Sequence, residues 1–120
     1  MTRILVVDNN AGVRRMLDVA LRGLDFDVRL ATSGQEALEI YRSESIDFVL
    51  LDVQMPGMDG PQTLEKLKEI DPNVVCFYMS ASVELSPSEI ARLGSIDFVQ
   101  KPISIEKIRR LIDKNKNKNL

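Results

Sequence analysis

Four polar side chains that could bind or transfer a phosphoryl group each follow a short apolar run of the sequence. They are Asp8, Asp52, Ser80 and Lys101. Two carboxylates placed close together repel each other unless a hard cation such as Mg2+ lies between them. A lysine supplies a point charge for phosphate oxygens, and a serine hydroxyl donates a further hydrogen bond. Each residue alone is more often a solvated loop residue, but the four together predict a phosphoryl site.

The apolar runs that precede these side chains predict five β-strands. They are continuous rather than alternating, as expected when helices cover both faces of a parallel sheet. The runs are Arg3–Val7, Val28–Ala31, Phe48–Leu51, Val74–Met79 and Ile96–Val99.

Between and after the strands, five amphipathic segments predict helices. The third opens at Gly60-Pro61 and stops at Asp71-Pro72, and the fourth has a capping box at Ser86-Pro87-Ser88-Glu89 and ends near Gly94. The apolar stripes of the other three are Val13, Met16, Leu17, Ala20, Leu21 and Leu24, then Ala37, Leu38 and Tyr41, and finally Ile105, Ile108, Leu111 and Ile112.

Strict alternation of five strands and five helices predicts a doubly wound (βα)5 α/β domain with a parallel sheet. Ligands of such sheets bind beyond the carboxyl ends of the strands, so the four polar side chains should converge on one edge. We expect the domain to cover residues 1–113. Residues 114–120, rich in Lys and Asn, are expected to form a disordered tail.

Composition narrows the function further. With 120 residues, 44% hydrophobic and 28% charged, the chain predicts one globular domain, and its net charge of -2 argues against a dedicated nucleic-acid binder. No apolar run approaches the ~18 residues that span a bilayer, and Asp8 comes too early for a signal peptide. We therefore expect a cytoplasmic protein without a membrane partner.

The rare residues exclude several chemistries. The chain has no histidine, which rules out Ser-His-Asp catalysis, histidine metal ligands and a phosphohistidine donor within it. Cys76 is the only cysteine and lies in an apolar run, so we expect a small core residue rather than a reactive thiol.

The motifs resemble those of a response-regulator receiver domain of two-component signalling, from Ile4 to about Leu111. Those motifs are Val6-Val7-Asp8, Asp52-Val53-Gln54-Met55-Pro56-Gly57-Met58-Asp59-Gly60, Ser80-Ala81 and Phe98-Val99-Gln100-Lys101-Pro102. The resemblance implies a five-stranded parallel sheet in the flavodoxin-like order 2-1-3-4-5, with helices on both faces.

The resemblance also implies an aspartyl-phosphate switch. Asp52 would take a phosphoryl group from a sensor histidine kinase or a histidine phosphotransfer protein. Mg2+ would be held by Asp8, Asp52 and the main-chain carbonyl of Gln54, while Lys101 would pair with the phosphate. As further implications of the resemblance, Ser80 would swing towards the phosphate, Phe98 would repack, Gln54 and Ser82 would line the path of the hydrolytic water, and the bond before Pro102 would be cis.

The implied output is a population shift in the face formed by the fourth helix, the fifth strand and the fifth helix. That face would signal to a downstream effector protein or a fused output domain. We expect a monomer at rest and a dimer through the same face on phosphorylation. The domain would catalyse only its own phosphorylation and dephosphorylation, so it is not expected to be an enzyme acting on a separate substrate.

Three positions depart from the family pattern. Asn9 stands where a second acid is usual, although its amide oxygen can still accept a bond from a metal-bound water. We expect this change to weaken Mg2+ binding, to lower the pKa of Asp52 relative to a full acidic triad and to bias the resting switch. Ser80 replaces a common threonine but keeps the hydroxyl, and Ser95 replaces a common alanine.

Other interpretations stay open. The principal alternative is a degenerate receiver that acts as an unphosphorylated protein-interaction module, favoured only by Asn9. A haloacid-dehalogenase-type phosphotransferase would need a second acid at Asn10. A nucleotide- or flavin-binding domain would need a phosphate-binding loop where the chain has Asp8-Asn9-Asn10-Ala11-Gly12.

Overall fold

A five-stranded parallel sheet forms the centre of the molecule, and its strands, counted along the chain, lie in the order 2-1-3-4-5, which confirms the doubly wound prediction. The structure is a computed structural model that describes residues 1–81 and 97–118. Its elements are β1 (Arg3–Val7), α1 (Ala11–Gly23), β2 (Asp27–Ala31), α2 (Gly34–Ser43), β3 (Phe48–Asp52), α3 (Gly60–Ile70), β4 (Cys76–Ser80), β5 (Phe98–Gln100) and α4 (Ile105–Lys118).

Two apolar cores lie on opposite faces of the sheet, which explains why its strands are continuously apolar. In β1, Ile4 and Val6 pack on the face covered by α1 and α4, whereas Leu5 and Val7 pack on the face covered by α2 and α3. Adjacent strand residues point to opposite faces, so burial on both sides requires an apolar residue at every position.

The apolar stripe of α1 is wider than the face that the sheet covers. Leu17 and Leu21 are fully buried, but Met16 and Leu24 are 40% and 36% exposed. Leu24 lies beyond the helix as its C-cap residue, with its N–H directed at the last-turn carbonyls. The 3.6-residue period therefore identified the helix correctly but overestimated how much of it is buried.

The strands also end later than their apolar runs. Asp52 pairs with Met79 and is the last residue of β3, while Ser80 pairs with Gln100 and is the last residue of β4. At the other end, β4 begins at Cys76 rather than Val74, because Val74 N–H donates to Asp71 O in the preceding turn. The predicted fourth helix and Ile96 lie outside the described residues, so the helix labelled α4 corresponds to the predicted fifth helix.

The final helix continues past the expected domain end at residue 113. It runs to Lys118, so residues 114–118 of the expected disordered tail are helical. Asn115 Nδ2 donates to Leu111 O at 2.8 Å, and Lys116 Nζ lies 5.6 Å from the centroid of the Phe26 ring. These contacts give the polar end of the helix partners that its composition does not reveal.

Cys76 is buried, as predicted for a core residue, and burial raises the pKa of its thiol to about 12. The thiol is therefore inert at neutral pH, since the thiolate is the reactive form.

No helix within residues 1–81 and 97–118 combines the length and apolar character that crossing a membrane requires.

The connection from β3 to α3 is a tightly held turn. Gly57 adopts φ +76, a conformation that favours glycine. Asp59 caps α3 in a reciprocal capping box with Gln62, and Gly60 N–H donates to Val53 O at 2.9 Å. The backbone at Gly60 comes so close to β3 that an added Cβ would lie 2.6 Å from Asp52 O and 2.8 Å from the Val53 Cα.

We expect Gly60→Ala to destabilise the fold by about 1–3 kcal/mol, because the obstructing atoms are backbone and cannot rotate away. Gly23→Ala is the matched control, since a Cβ there meets nothing within 4 Å. It should be neutral or stabilising by up to about 1 kcal/mol. Urea unfolding of both variants checks this, and equal midpoints for Gly60→Ala and wild type would contradict the close approach.

Candidate functional site

One ammonium group lies between two buried carboxylates at the carboxyl edge of the sheet. Lys101 Nζ is 2.8 Å from Asp8 Oδ2 and 3.6 Å from Asp52 Oδ1. Asp8 is fully buried and Asp52 is 5% exposed. The structure therefore brings together three of the side chains that the sequence suggested, and it does so by pairing opposite charges.

Asp8 is held in place from several sides. Its N–H donates to Ala31 O at 3.1 Å, and its Oδ1 accepts from the Asn10 N–H at 2.9 Å. Its main-chain carbonyl accepts from Arg14 Nη1 at 2.6 Å. These bonds fix the carboxylate so that Oδ2 faces Lys101.

Asp52 is held less tightly, on one oxygen. Oδ1 accepts a long bond of 3.3 Å from the Gln54 N–H, and no described residue donates to Oδ2. The backbone directly after it is anchored, because Val53 N–H donates to Met79 O at 2.9 Å.

Lys101 and Ser80 are tied through the backbone. Lys101 N–H donates to Ser80 O at 2.7 Å, which extends the β4–β5 pairing by one residue. The Lys101–Pro102 peptide bond is cis. Ser80 is 3% exposed, at the last position of β4. From its place directly after the edge strand, the ammonium reaches Asp8, which follows β1, and Asp52, which ends β3.

The pKa of Asp52 is raised above the ordinary value for an aspartate. Burial is the principal cause, and the negative charge of Asp8 is the second, while Lys101 and the Gln54 N–H act in the opposite direction. The carboxylate is therefore in an environment that disfavours its negative charge and favours an added positive one.

Other predicted site residues lie at the rim or elsewhere. The side chains of Asn9 and Gln54 are exposed. Phe98 is half-buried against the α2 and α3 core, with Lys107 Nζ 5.8 Å from its ring centroid. Ser82 and Ser95 fall outside the described residues.

Two residues that position Asp8 were not among the site residues predicted from the sequence. Asn10 is the N-cap of α1, where its side chain accepts from the Val13 N–H at 3.0 Å. A helix beginning directly after an asparagine is a recognisable signal, so this residue could have been found. Arg14 had no comparable signal, because its bond to Asp8 O depends on how α1 packs against β1.

The residues present fit a hard divalent cation. Asp8 Oδ2 is buried, and although Lys101 Nζ lies near it, the atom accepts no well-directed hydrogen bond from the described residues. The nearby donors are carboxylate and main-chain oxygens, the type that Mg2+ prefers. With Asn9 in place of an acid, no group of three or more His, Cys, Asp or Glu residues able to hold a metal occurs within 1–81 and 97–118.

Fold and site together define the class, and comparison with known proteins agrees. The chain belongs to the response regulator receiver domain family, whose profile matches residues 4–113. Sporulation initiation phosphotransferase F of Bacillus subtilis is 36% identical over 113 residues, which are 93% of this chain and 91% of that protein.

Longer and structurally solved proteins are also similar. Transcriptional regulatory protein ZraR of Escherichia coli K12 is 37% identical over 113 residues, covering 92% of this chain but only 25% of ZraR, so the chain spans about a quarter of that relative. The structure of response regulator protein TrrA from Thermotoga maritima, in complex with Mg2+-BeF, has a TM-score of 0.84 and 25% identity, with 95% of this chain and 98% of that chain covered.

The raised pKa of Asp52 makes a prediction about stability and pH. A raised folded-state pKa means that the stabilising effect of the neutral form is complete at low pH and is lost as pH rises through the folded-state pKa. We therefore expect Asp52→Asn to be more stable than wild type at neutral pH without metal, and the difference to shrink as pH falls towards the ordinary carboxyl pKa of about 4.

The measurement is urea unfolding in a chelator across this pH range. Asp97→Asn, at an exposed position, controls for the loss of one negative charge. If Asp52→Asn were instead less stable than wild type at neutral pH, the attraction of Lys101 would outweigh burial and the repulsion from Asp8.

Proposed function

We propose that this receiver domain accepts a phosphoryl group on Asp52 from the phosphohistidine of a sensor histidine kinase or a histidine phosphotransfer protein. The observation that carries the proposal is the pair of buried carboxylates that share the Lys101 ammonium. Such a cluster costs free energy as a structural feature, because burying charge is unfavourable even when it is paired. A role in binding a charged group accounts for it.

In this proposal Asp52 is the nucleophile. The oxygen that accepts no hydrogen bond from the described residues attacks phosphorus in line with the leaving imidazole nitrogen, the N–P bond of the donor breaks, and an O–P bond to Asp52 forms. Asp8 is unsuited to this role because its carboxylate is fully buried and held by Asn10 and Lys101.

Lys101 then exchanges partners. Its ammonium, already 3.6 Å from Asp52 Oδ1, pairs with the incoming phosphoryl oxygens and offsets their charge. Ser80, at the end of the neighbouring strand, donates its hydroxyl to the same group. The domain therefore supplies most of the machinery for its own phosphorylation, and later dephosphorylation, while the donor histidine comes from a partner.

Mg2+ is the cofactor of the proposal. Asp8, Asp52 and the main-chain carbonyl of Gln54 would hold it, with the Asn9 amide reached through a water. When bound, the ion neutralises charge on the phosphoryl oxygens during transfer. Asn9 stands at the rim where a full acidic set has a second acid. The site therefore has one negative charge fewer, and we expect the ion to bind weakly.

The proposed readout runs along β5 and α4. Phe98 opens β5 and Lys101 directly follows it, so movement at the phosphorylated site is coupled to the aromatic ring through one short strand. The face formed by the predicted fourth helix, β5 and α4 would signal to an effector protein or a fused output domain. The chain would be a monomer at rest and would dimerise through the same face when phosphorylated. A cytoplasmic location belongs to the same proposal.

The alternative is a degenerate receiver that acts through protein contacts without phosphorylation. The absence of an acid at Asn9 favours it, and the shared ammonium of Asp8 and Asp52 argues against it. The two functions differ in one measurable property, which is whether Asp52 accepts a phosphoryl group.

Incubation with Mg2+ and acetyl phosphate should add the mass of one phosphoryl group to the intact chain. Asp52→Asn should stay unlabelled, because an amide oxygen is a poor nucleophile here, and Asp97→Asn should label like wild type. Intact mass spectrometry checks all three. A folded wild type that gains no mass in excess Mg2+ would support the degenerate receiver.

Asn9→Asp should bind Mg2+ more tightly, on the order of tenfold, because it restores a negative charge at the rim of the site. Asn10→Asp is the matched control: it adds the same charge one residue away, at a helix cap where Asp serves as well as Asn. Isothermal titration calorimetry measures both affinities. Equal gains in the two variants would mean that position 9 contributes only general electrostatics.

A further inference from the structure

The charges of the chain are unevenly distributed between the C-terminal helix and the rest. Residues 105–118, helix α4, contain six Lys or Arg and two Asp or Glu, whereas the remaining residues contain ten and sixteen. The helix thus has a net charge of +4 and the rest a net charge of -6. Such asymmetry within one small domain indicates a partner of opposite charge.

Outside α4, several arginines are engaged in ion pairs within the domain. Arg3 lies 2.7 Å from Asp27, and Arg29 lies 2.8 Å from Glu44. On α4 the corresponding pairing is weak. Arg110 and Glu106 are 3.7 Å apart and both well exposed, and no described Asp or Glu pairs with Lys107 or Lys114.

These cations line a groove of about 520 Å3 on one side of the helix. Its lining residues are Ser104, Glu106, Lys107, Arg110, Leu111 and Lys114. The long basic side chains present aliphatic stems as well as charged ends, so the groove has an apolar floor beneath a cationic rim. A second groove, on the other side of α4, contains Asp25 and Asp113 as well as Arg109 and Lys116, so its side-chain charges are balanced.

We propose that the groove formed by Lys107, Arg110, Leu111 and Lys114, here called the α4 groove, docks an acidic amphipathic segment of a partner protein. The carboxylates of the segment would meet the cationic rim while its apolar side chains cover the floor. This inference rests on the proposed readout through β5 and α4, and it identifies the chemistry of the partner.

A polypeptide fits this groove better than a nucleic acid. A phosphate backbone would gain nothing from the apolar floor, and the net charge of -6 on the rest of the domain would repel an extended polyanion. A short acidic segment can be confined to the helix. Lys107 also contacts the Phe98 ring, which places the groove beside the aromatic residue of β5.

The test is fluorescence anisotropy with a labelled helical peptide of about 14 residues, four turns long, made of Glu and Leu with Leu at i, i+3, i+4 and i+7. Lys107→Gln/Lys114→Gln should bind about fivefold more weakly than wild type. Arg109→Gln/Lys116→Gln is the matched control: it removes the same charge from the same helix, and Lys116, like Lys107, contacts an aromatic ring. The control should bind like wild type.

Several outcomes would overturn the proposal. One is no binding by wild type at low salt. Another is equal weakening of binding in both double variants, which would indicate general charge attraction. If a peptide with Ser in place of Leu bound as tightly, the apolar floor would contribute nothing to the affinity. Tighter binding of duplex DNA or of phosphatidylserine vesicles, with the same dependence on Lys107 and Lys114, would assign the groove to a phosphate-bearing partner.

The phosphorylation state is read separately, so that the two proposals can fail independently. Neither double variant touches the site of Asp8, Asp52 and Lys101, and intact mass with acetyl phosphate should show the same labelling as wild type. Peptide binding by a chain that does not label would support the α4 groove while rejecting the phosphoacceptor function. Labelling without peptide binding would support the phosphoacceptor function and reject the α4 groove.

Discussion

The sharing of one ammonium by two buried carboxylates is the constraint on which the rest of the structure depends. Asp8 directly follows β1 and Asp52 is the last residue of β3, which are adjacent central strands, and Lys101 follows the edge strand on the far side of β4. Without the lysine, two like charges would remain uncompensated in a buried position, which is strongly unfavourable. The strand order, the length of β5 and the tie between Lys101 N–H and Ser80 O all serve to bring that one charge to the right place.

The sheet can hold such a cluster because the rest of it is apolar and covered on both faces. Strands that are close-packed between two cores have little freedom to shift, so the residues at their ends are held in fixed positions. Beyond those residues the ladder stops, and backbone groups become available to orient side chains. Asn10 N–H on Asp8 and Gln54 N–H on Asp52 are examples of this use.

β5 connects the site to the surface that we propose as the docking face. It is only three residues long, with Phe98 at its start and Lys101 immediately after its end. The Phe98 ring packs partly against the core and partly under Lys107 of α4. A change in the partners of Lys101 therefore has a short physical route to the basic side of α4, and the acidic character of the remaining domain leaves that side as the distinctive one for an anionic partner.

The sequence by itself determined where the five strands and helices α1, α2, α3 and α4 lie, though not where each ends, and it placed Asp8, Asp52, Ser80 and Lys101 at the carboxyl edge of the sheet. Both follow from local periodicity and from the direction of parallel strands. The tertiary structure decided matters that depend on neighbours distant in the chain. Register placed Asp52 and Ser80 within strands, the width of the sheet left Met16 and Leu24 exposed, and contacts with Leu111 and Phe26 accompany the helix beyond residue 113. The shared ammonium itself is of this second kind, since a distance between charges is a property of packing and cannot be computed from spacing along the chain.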